Sequence, residues 1–398
     1  MLPTNKWILL TSLIYTSAVY ADNDPEFEAF LKNHESEFSQ YQQQIKQEFQ
    51  QFEKEWKNAE AEYKKRISKK WETAELPSKK VWVSYSEDLN QRTKVDYEKG
   101  VVQIELKKEV IKHNVLIQAK TQLTQLSRTT PTQAIKSDPI VRQVVKAIKV
   151  NQQIQTKREQ KLTKPVIIEQ KPLALKGLKE QPIIKPAVLT QVLTEAPVVK
   201  EDKDFVTVTY ALPKQSFYQK AQPYLNQVKS ESERWKLPPS LLLAIIHTES
   251  SFNPMARSSI PAFGLMQIVP STAGKDVSQF ILGEPKLYTP EYLYQASNNI
   301  EAGSAYLHLL QNRYFKHVRN QKAKTYLSIA AYNTGIGNVA KTLTGTKSLR
   351  QAAIKANLMS PDEIYSKLLR DLPAQETRNY LKKVQARSKS YEQHLKGI

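Results

Sequence analysis

The chain has 398 residues, room for two domains and a sizeable core, with 40% hydrophobic and 25% charged residues. Its ten glycines and absence of cysteine argue against turn-dense β folds, Gly-loop nucleotide sites, disulfides, thiol nucleophiles and Cys-ligated zinc. A formal net charge of +20 favours an anionic partner, whether nucleic acid, anionic lipid or an acidic polymer.

Lys6 precedes an apolar run from Trp7 to Ala18, and Val19-Tyr20-Ala21 then gives a small-x-small cleavage pattern. The run is too short for an ordinary membrane span, and 1–21 reads as a secretory signal peptide. Export makes nucleic acid an unsuitable partner and an envelope polymer or lipid surface a suitable one.

From Phe27 to Tyr63 the aromatic and apolar residues Phe38, Tyr41, Ile45, Phe49, Phe52, Trp56 and Tyr63 recur at helical steps among Lys, Glu and Gln. This predicts a long amphipathic helix whose stripe packs on the rest of the N-terminal domain or makes peripheral contact with a membrane. Short strands follow at 79–85, 93–97 and 101–106, with Lys99-Gly100 as a turn before the last. The Lys/Gln/Val-rich segment 108–160 reads as helical, interrupted by Pro131 and Pro139. From 164 to 200 a basic stretch punctuated by Pro165, Pro172, Pro182, Pro186 and Pro197 reads as an extended linker with a strand or two. Residues 205–211 alternate as a strand that closes the N-terminal sheet. Beyond Pro213 the pattern is helical, with helices expected near 217–235, 239–250, 270–276, 298–313, 323–333, 337–343, 361–369 and 374–393. The fold class is therefore α+β. A signal peptide (1–21) and an N-terminal α/β domain with a long amphipathic helix (22–211) precede a mostly helical C-terminal domain (212–398).

Pro238-Pro239-Ser240 opens one helix, and its run Leu241 to Ile246 is too apolar for a surface helix. Glu249 stands at the end of that helix. A carboxyl leaving a buried helix is desolvated and sits at the negative end of the dipole, so its proton is held more tightly. A carboxylic acid still protonated near neutral pH is what glycosidic bond cleavage requires. The six histidines have no metal-ligand spacing; His247 reads as structural, and no metal or cofactor is expected.

Five ordered motifs surround this glutamate: Glu249-Ser250 with Ser258; Gly264-Leu265-Met266-Gln267; Asn299-Ile300 with Ala302-Gly303 and Tyr306-Leu307; Ala331-Tyr332-Asn333; and Glu376-Thr377-Arg378 with Tyr380. In this order and spacing they resemble the lytic transglycosylases of the goose-type lysozyme superfamily. The likeness is nearest to a membrane-bound subfamily, whose N-terminal domain the segment 81–106 also resembles. The resemblance implies a lysozyme-like catalytic domain acting on peptidoglycan glycan strands in the periplasm or cell envelope. It implies that Glu249 protonates the glycosidic oxygen between MurNAc and GlcNAc. Glu249 then takes the proton of the MurNAc C6 hydroxyl, which closes a 1,6-anhydro ring. It further implies substrate contacts for Ser258 and Gln267, a sugar-subsite floor at Met266, and a Tyr332 hydroxyl near Glu249 or the acetamido group. Asn333 would hold a helix start or a sugar, and Glu376 and Tyr380 would line the cleft from one helix face. Arg378 would pair with a carboxylate or form a surface ion pair.

Two departures stand out. That subfamily is typically lipid-anchored through a cysteine, and this chain has none, so it is not expected to be a lipoprotein. Pro261-Ala262-Phe263 stands where smaller residues are usual, and the turn is expected to survive it. Three other readings compete: a water-using muramidase, a non-catalytic wall-binding protein and a membrane-surface structural protein. The oligomeric state is not encoded in any of these patterns.

Overall fold

The computed structural model describes residues 25–111, 114–158 and 180–397. The signal peptide read at 1–21 and the part of the basic stretch before residue 180 lie outside the described residues. The described residues up to Glu48 belong to one compact unit and those from Phe49 on to a second.

The long helix α1 (Pro25–Ile67) runs four residues past the expected end. Within the second unit its stripe of Phe49, Phe52, Trp56 and Tyr63 is buried. Trp56 meets Phe263 edge-on with ring centroids 4.8 Å apart, and Phe52 meets the same ring at 6.4 Å. Burying each such ring stabilises by roughly 1.5–3 kcal/mol. This part of the stripe is core, so the membrane contact drawn from its aromatics does not hold here. The side chains of Phe38, Tyr41 and Ile45 lie outside the described residues.

Five strands form one antiparallel sheet in the order β1-β2-β3-β5-β4: β1 (Val81–Tyr85), β2 (Gln91–Asp96), β3 (Val101–Lys107), β4 (Val198–Glu201) and β5 (Phe205–Ala211). Register follows the buried alternation: Val102, Ile104 and Leu106 stand opposite Tyr210, Val208 and Val206. Gly100, at φ +67°, makes the β2–β3 turn, where Asp96 Oδ1 accepts the amides of Glu98 and Lys99. Residues 205–211 join this sheet as a strand but do not close it, since they lie between β3 and β4. The edge strand β4 is exposed along its length.

Between β3 and β4 lie α2 (Val115–Leu126), α3 (Pro131–Ser137), α4 (Pro139–Arg158) and α5 (Pro186–Val192). Pro131, Pro139 and Pro186 each open a helix instead of interrupting one, because a first-turn proline forfeits no intrahelical hydrogen bond. The helix α5 was not foreseen in the linker reading.

The C-terminal part is mostly helical, apart from the loop at 251–269 with its two isolated β-bridges. It comprises α6 (Phe217–Ala221), α7 (Leu225–Trp235), α8 (Pro239–Ser250), α9 (Lys275–Leu282), α10 (Pro290–Leu293), α11 (Ala296–Leu309), α12 (Gln321–Thr334), α13 (Ile336–Thr344), α14 (Leu349–Asn357), α15 (Pro361–Asp371) and α16 (Gln375–Lys396). The helix expected over 217–235 is broken by a 3-10 turn containing Pro223. A π-helical turn at Pro270–Gly274 carries the helix begun at 270 on to Leu282. The helices α10 and α14 have no counterpart in the sequence reading. With both faces of its apolar run buried, α8 is the central helix and packs chiefly on α16. The architecture is α+β, as expected.

Candidate active site

Glu249 lies in the last turn of α8 and is 4% exposed. Burial pushes its carboxyl above the ordinary range; Lys79 and Tyr380 pull it down and Glu376 pushes it further up. The helix ends on two consecutive left-handed residues, Ser251 (φ +52°) and Phe252 (φ +67°). Neither is glycine, so this exit from the helix is strained. Asn253, fully buried, ties the exit down: its amide donates to the Ser250 carbonyl and its Oδ1 accepts from the Met255 amide.

Two tyrosines flank the carboxyl. The Tyr380 hydroxyl, on α16, is buried against Glu249 without a well-formed hydrogen bond to it or to any other described group. The Tyr332 hydroxyl, on α12, donates to the Met266 carbonyl at 2.9 Å, close enough to Glu249 to feel its charge. Burial, reinforced by Glu249, holds both phenols protonated far above neutral pH.

The Gly264–Gln267 loop and the Asn299–Gly303 turns of α11 form one construction. Asn299, wholly buried, donates through Nδ2 to the carbonyls of Phe263 (2.7 Å) and Leu293 (2.8 Å) and accepts the Met266 amide through Oδ1 (2.7 Å). A Cβ at Gly264, where φ is +75°, would lie 2.4 Å from both Asn299 Nδ2 and the Leu293 carbonyl. A Cβ at Gly303 would lie 2.4 Å from Met266 Sδ. Both glycines are therefore demanded by close approach. The turn survives Pro261-Ala262-Phe263, as Phe263 and Ile268 exchange backbone hydrogen bonds and the Phe263 ring receives α1.

The structure gathers Glu249, Tyr332, Glu376 and Tyr380 around one point. Glu376 is largely exposed and shares an ammonium with Glu249: Lys79 Nζ is 3.4 Å from Glu249 Oε2 and 3.7 Å from Glu376 Oε1. Gln267, at φ +51°, donates Nε2 to the Gly264 carbonyl and leaves Oε1 buried without a partner among the described residues. The remaining expected residues make contacts within the fold. Met266 is wholly buried and packs on Gly303, so its side chain serves the core. The Ser258 hydroxyl donates to the Ile260 carbonyl within its own loop. Asn333 accepts from the Thr377 hydroxyl at 2.7 Å and joins α12 to α16. Arg378 binds the carbonyls of Leu372 and Pro373 and Gln375 Oε1, not a carboxylate, so it caps the turn before α16. His247 packs on Phe217 and Phe252 and bonds the Tyr391 hydroxyl at 3.2 Å; burial pushes it down to about 3, so it stays neutral and structural.

The residue that sequence reading missed is Lys79, which stands 170 positions before Glu249. Its only sequence signal was its place at the start of a strand, which carries no chemistry. Among the described residues, no group of His, Cys, Asp and Glu could hold a metal ion.

Residues 226–355 match the family described as the transglycosylase SLT domain. Proteins named membrane-bound lytic murein transglycosylase C are similar over nearly half the chain. That of Yersinia enterocolitica is 39% identical over 47% of this chain and 52% of its own length. That of Serratia proteamaculans is 41% identical over 46% and 51%. The chain thus spans about half the length of the curated relatives it matches. The X-ray structure of an inactive mutant of lytic transglycosylase Slt from Pseudomonas aeruginosa is 28% identical over 45% of this chain and 25% of that one, with a TM-score of 0.33. Among the described residues, no helix is long and apolar enough to cross a membrane.

Proposed function

We propose that the chain is a lytic transglycosylase of the cell envelope that cleaves peptidoglycan glycan strands, with Glu249 as the single acid and then base. The observation that carries this reading is the buried Glu249 carboxyl, held above its ordinary range by desolvation inside a matched transglycosylase SLT domain. The protonated carboxyl donates to the MurNAc–GlcNAc glycosidic oxygen as the C1–O bond breaks. The carboxylate so formed takes the proton of the C6 hydroxyl while O6 bonds to C1. GlcNAc leaves with its new hydroxyl, MurNAc becomes the 1,6-anhydro sugar, and no water is consumed. Tyr332 and Tyr380 supply polar, neutral walls beside the carboxyl, and the substrate's own acetamido group stabilises the positive charge at C1. We assign catalysis to the helical part from about residue 212 and place the chain with the membrane-bound murein transglycosylases named above.

One observation favours a second reading. Glu376 lies within 4 Å of the same ammonium as Glu249, and a second carboxylate near the acid could activate water, as in an inverting muramidase. Mass spectrometry of muropeptides released from purified sacculi separates the two. Fragments ending in 1,6-anhydroMurNAc, absent with Glu249→Gln, are the expected result. Reducing MurNAc ends would establish the hydrolytic reading, and no release by the unsubstituted chain would leave a wall-binding protein.

A further inference from the structure

The last turn of α8 is approached from the N-terminal sheet by a short segment, Ser78–Lys80, that leads into β1. Its backbone is fixed. The Ser78 amide donates to the Val81 carbonyl at 2.8 Å, and Ser78 Oγ accepts the Val81 amide at 3.1 Å. The carbonyls of Ser78 and Lys79 in turn accept from the Arg257 amide and from Asn253 Nδ2, each at 3.3 Å. Arg257 and Asn253 belong to the loop that leaves α8, so the segment is held where the catalytic helix ends. Lys80 is drawn away to Glu98. Among the described residues, Lys79 alone reaches the pair of carboxylates, with Nζ between Glu249 and Glu376.

We propose that Lys79 is a positioning residue through which the N-terminal sheet sets the protonation state of Glu249, by dividing one ammonium between that carboxyl and Glu376. Among the described residues, the charged and titratable groups that act most on Glu249 are Lys79, Glu376, Tyr380 and Tyr332. The two tyrosines stay neutral, so Lys79 and Glu376 are the groups whose charges act on the acid. They act in opposite senses, the ammonium favouring the carboxylate and Glu376 favouring the acid. A lysine that served Glu249 alone would hold it ionised and unable to donate. Sharing it with an exposed carboxylate weakens that hold, while leaving a cation at hand for the carboxylate that exists after the first proton transfer. The N-terminal sheet is then part of the catalytic apparatus and not only a spacer.

This inference rests on reading Glu249 as the acid, and the test keeps the two separable. The Glu249 side-chain carboxyl carbon, identified by its loss in Glu249→Gln, is titrated by NMR in the full chain, which needs no turnover. Lys79→Met should move the midpoint to higher pH and Glu376→Gln to lower pH. Lys79→Arg should restore the wild-type midpoint, and Lys80→Met, the same charge change one residue on, should not move it. The high-pH limb of kcat/KM on sacculi should follow the same order, since cleavage is lost as Glu249 ionises. A midpoint unmoved by Lys79→Met, or moved equally by Lys80→Met, overturns the role of Lys79. A wild-type chain that releases no muropeptide overturns the reading of Glu249, while the titration still decides what Lys79 does to it.

Discussion

The sheet and the end of α8 each bury a glutamate at 4% exposure, Glu105 and Glu249, and surround it in opposite ways. Glu105 pairs with Arg92 and, at 3.2 Å, with Lys94. Arg92 also reaches Glu75 at 3.1 Å and the Thr73 carbonyl at 3.0 Å, and it stacks 4.5 Å above the Trp71 ring. Around Glu249 stand one partly exposed lysine at 3.4 Å, shared with a second carboxylate, and a tyrosine without a well-formed bond. The exit of α8 just beyond it adds two consecutive left-handed residues, Ser251 and Phe252, and a buried Ser251 hydroxyl without a partner among the described residues. Where a charge only has to be buried, as at Glu105, the fold saturates it with partners; at Glu249, where we propose that a proton moves, the fold leaves it under-compensated.

That contrast is broken most directly at its two carboxyl sites. Glu249→Gln should lower muropeptide release by about 10²–10⁴-fold, the usual contribution of a general acid. It should not harm the fold. Because burial raises the Glu249 pKa, the wild type loses stability as pH rises from the ordinary carboxylate range through the raised value, and the glutamine variant does not. The variant should therefore melt above the wild type at alkaline pH, with the gap closing in acid. Arg92→Met should do the reverse. It leaves the buried Glu105 with Lys94 as its remaining cation, so urea unfolding should show a loss of up to about 3–5 kcal/mol, the cost of breaking a buried pair outright, with release per folded molecule unchanged. Equal stability of Arg92→Met and wild type would mean that the saturated cluster is ornamental.

Gly264→Ala tests whether the motif loop is built on close approach. The new methyl would overlap Asn299 and the Leu293 carbonyl at a backbone conformation that L residues avoid. Overpacking costs about 1–3 kcal/mol, and the left-handed backbone adds to it. Because Asn299 also holds the Met266 amide, and Tyr332 the Met266 carbonyl, thermal stability and kcat should fall together.

The sequence reading reached the sheet, the long helix and the buried α8, because each is a local pattern of alternation or helical spacing. It reached Glu249, Tyr332, Glu376 and Tyr380 as neighbours through ordered motifs, not through any one residue's character. It missed what only folding creates. Lys79 stands 170 positions from Glu249 and reaches it because the carbonyls of its segment accept from the Arg257 amide and from Asn253 Nδ2, and nothing local marks it. Met266 and Ser258 sit inside recognisable motifs, and the packing of the one and the loop bond of the other are contacts that motif membership does not specify. The prolines of 131, 139 and 186 were read as breaks, since a first-turn proline and an interrupting one look alike until the helix start is known. The short helices α10 and α14 left no periodic run long enough to see.

The smallest expected effect probes the strain at the α8 exit. Ser251 is left-handed, with a buried hydroxyl that has no partner among the described residues. Glycine would remove both penalties and is the residue that helix ends of this kind favour. Relief of a left-handed backbone is worth about 1–2 kcal/mol, offset by about 0.5–1 kcal/mol for the freer unfolded chain. The net gain for Ser251→Gly is therefore about 1 kcal/mol or less, and Tm should rise by about 2 °C. The same change loosens the backbone two residues from Glu249, next to the Asn253 that anchors Lys79. If the strain serves to aim the carboxyl, kcat should fall as Tm rises. A rise in Tm with kcat unchanged would mean that the left-handed exit is a tolerated cost of the loop and has no part in positioning the acid.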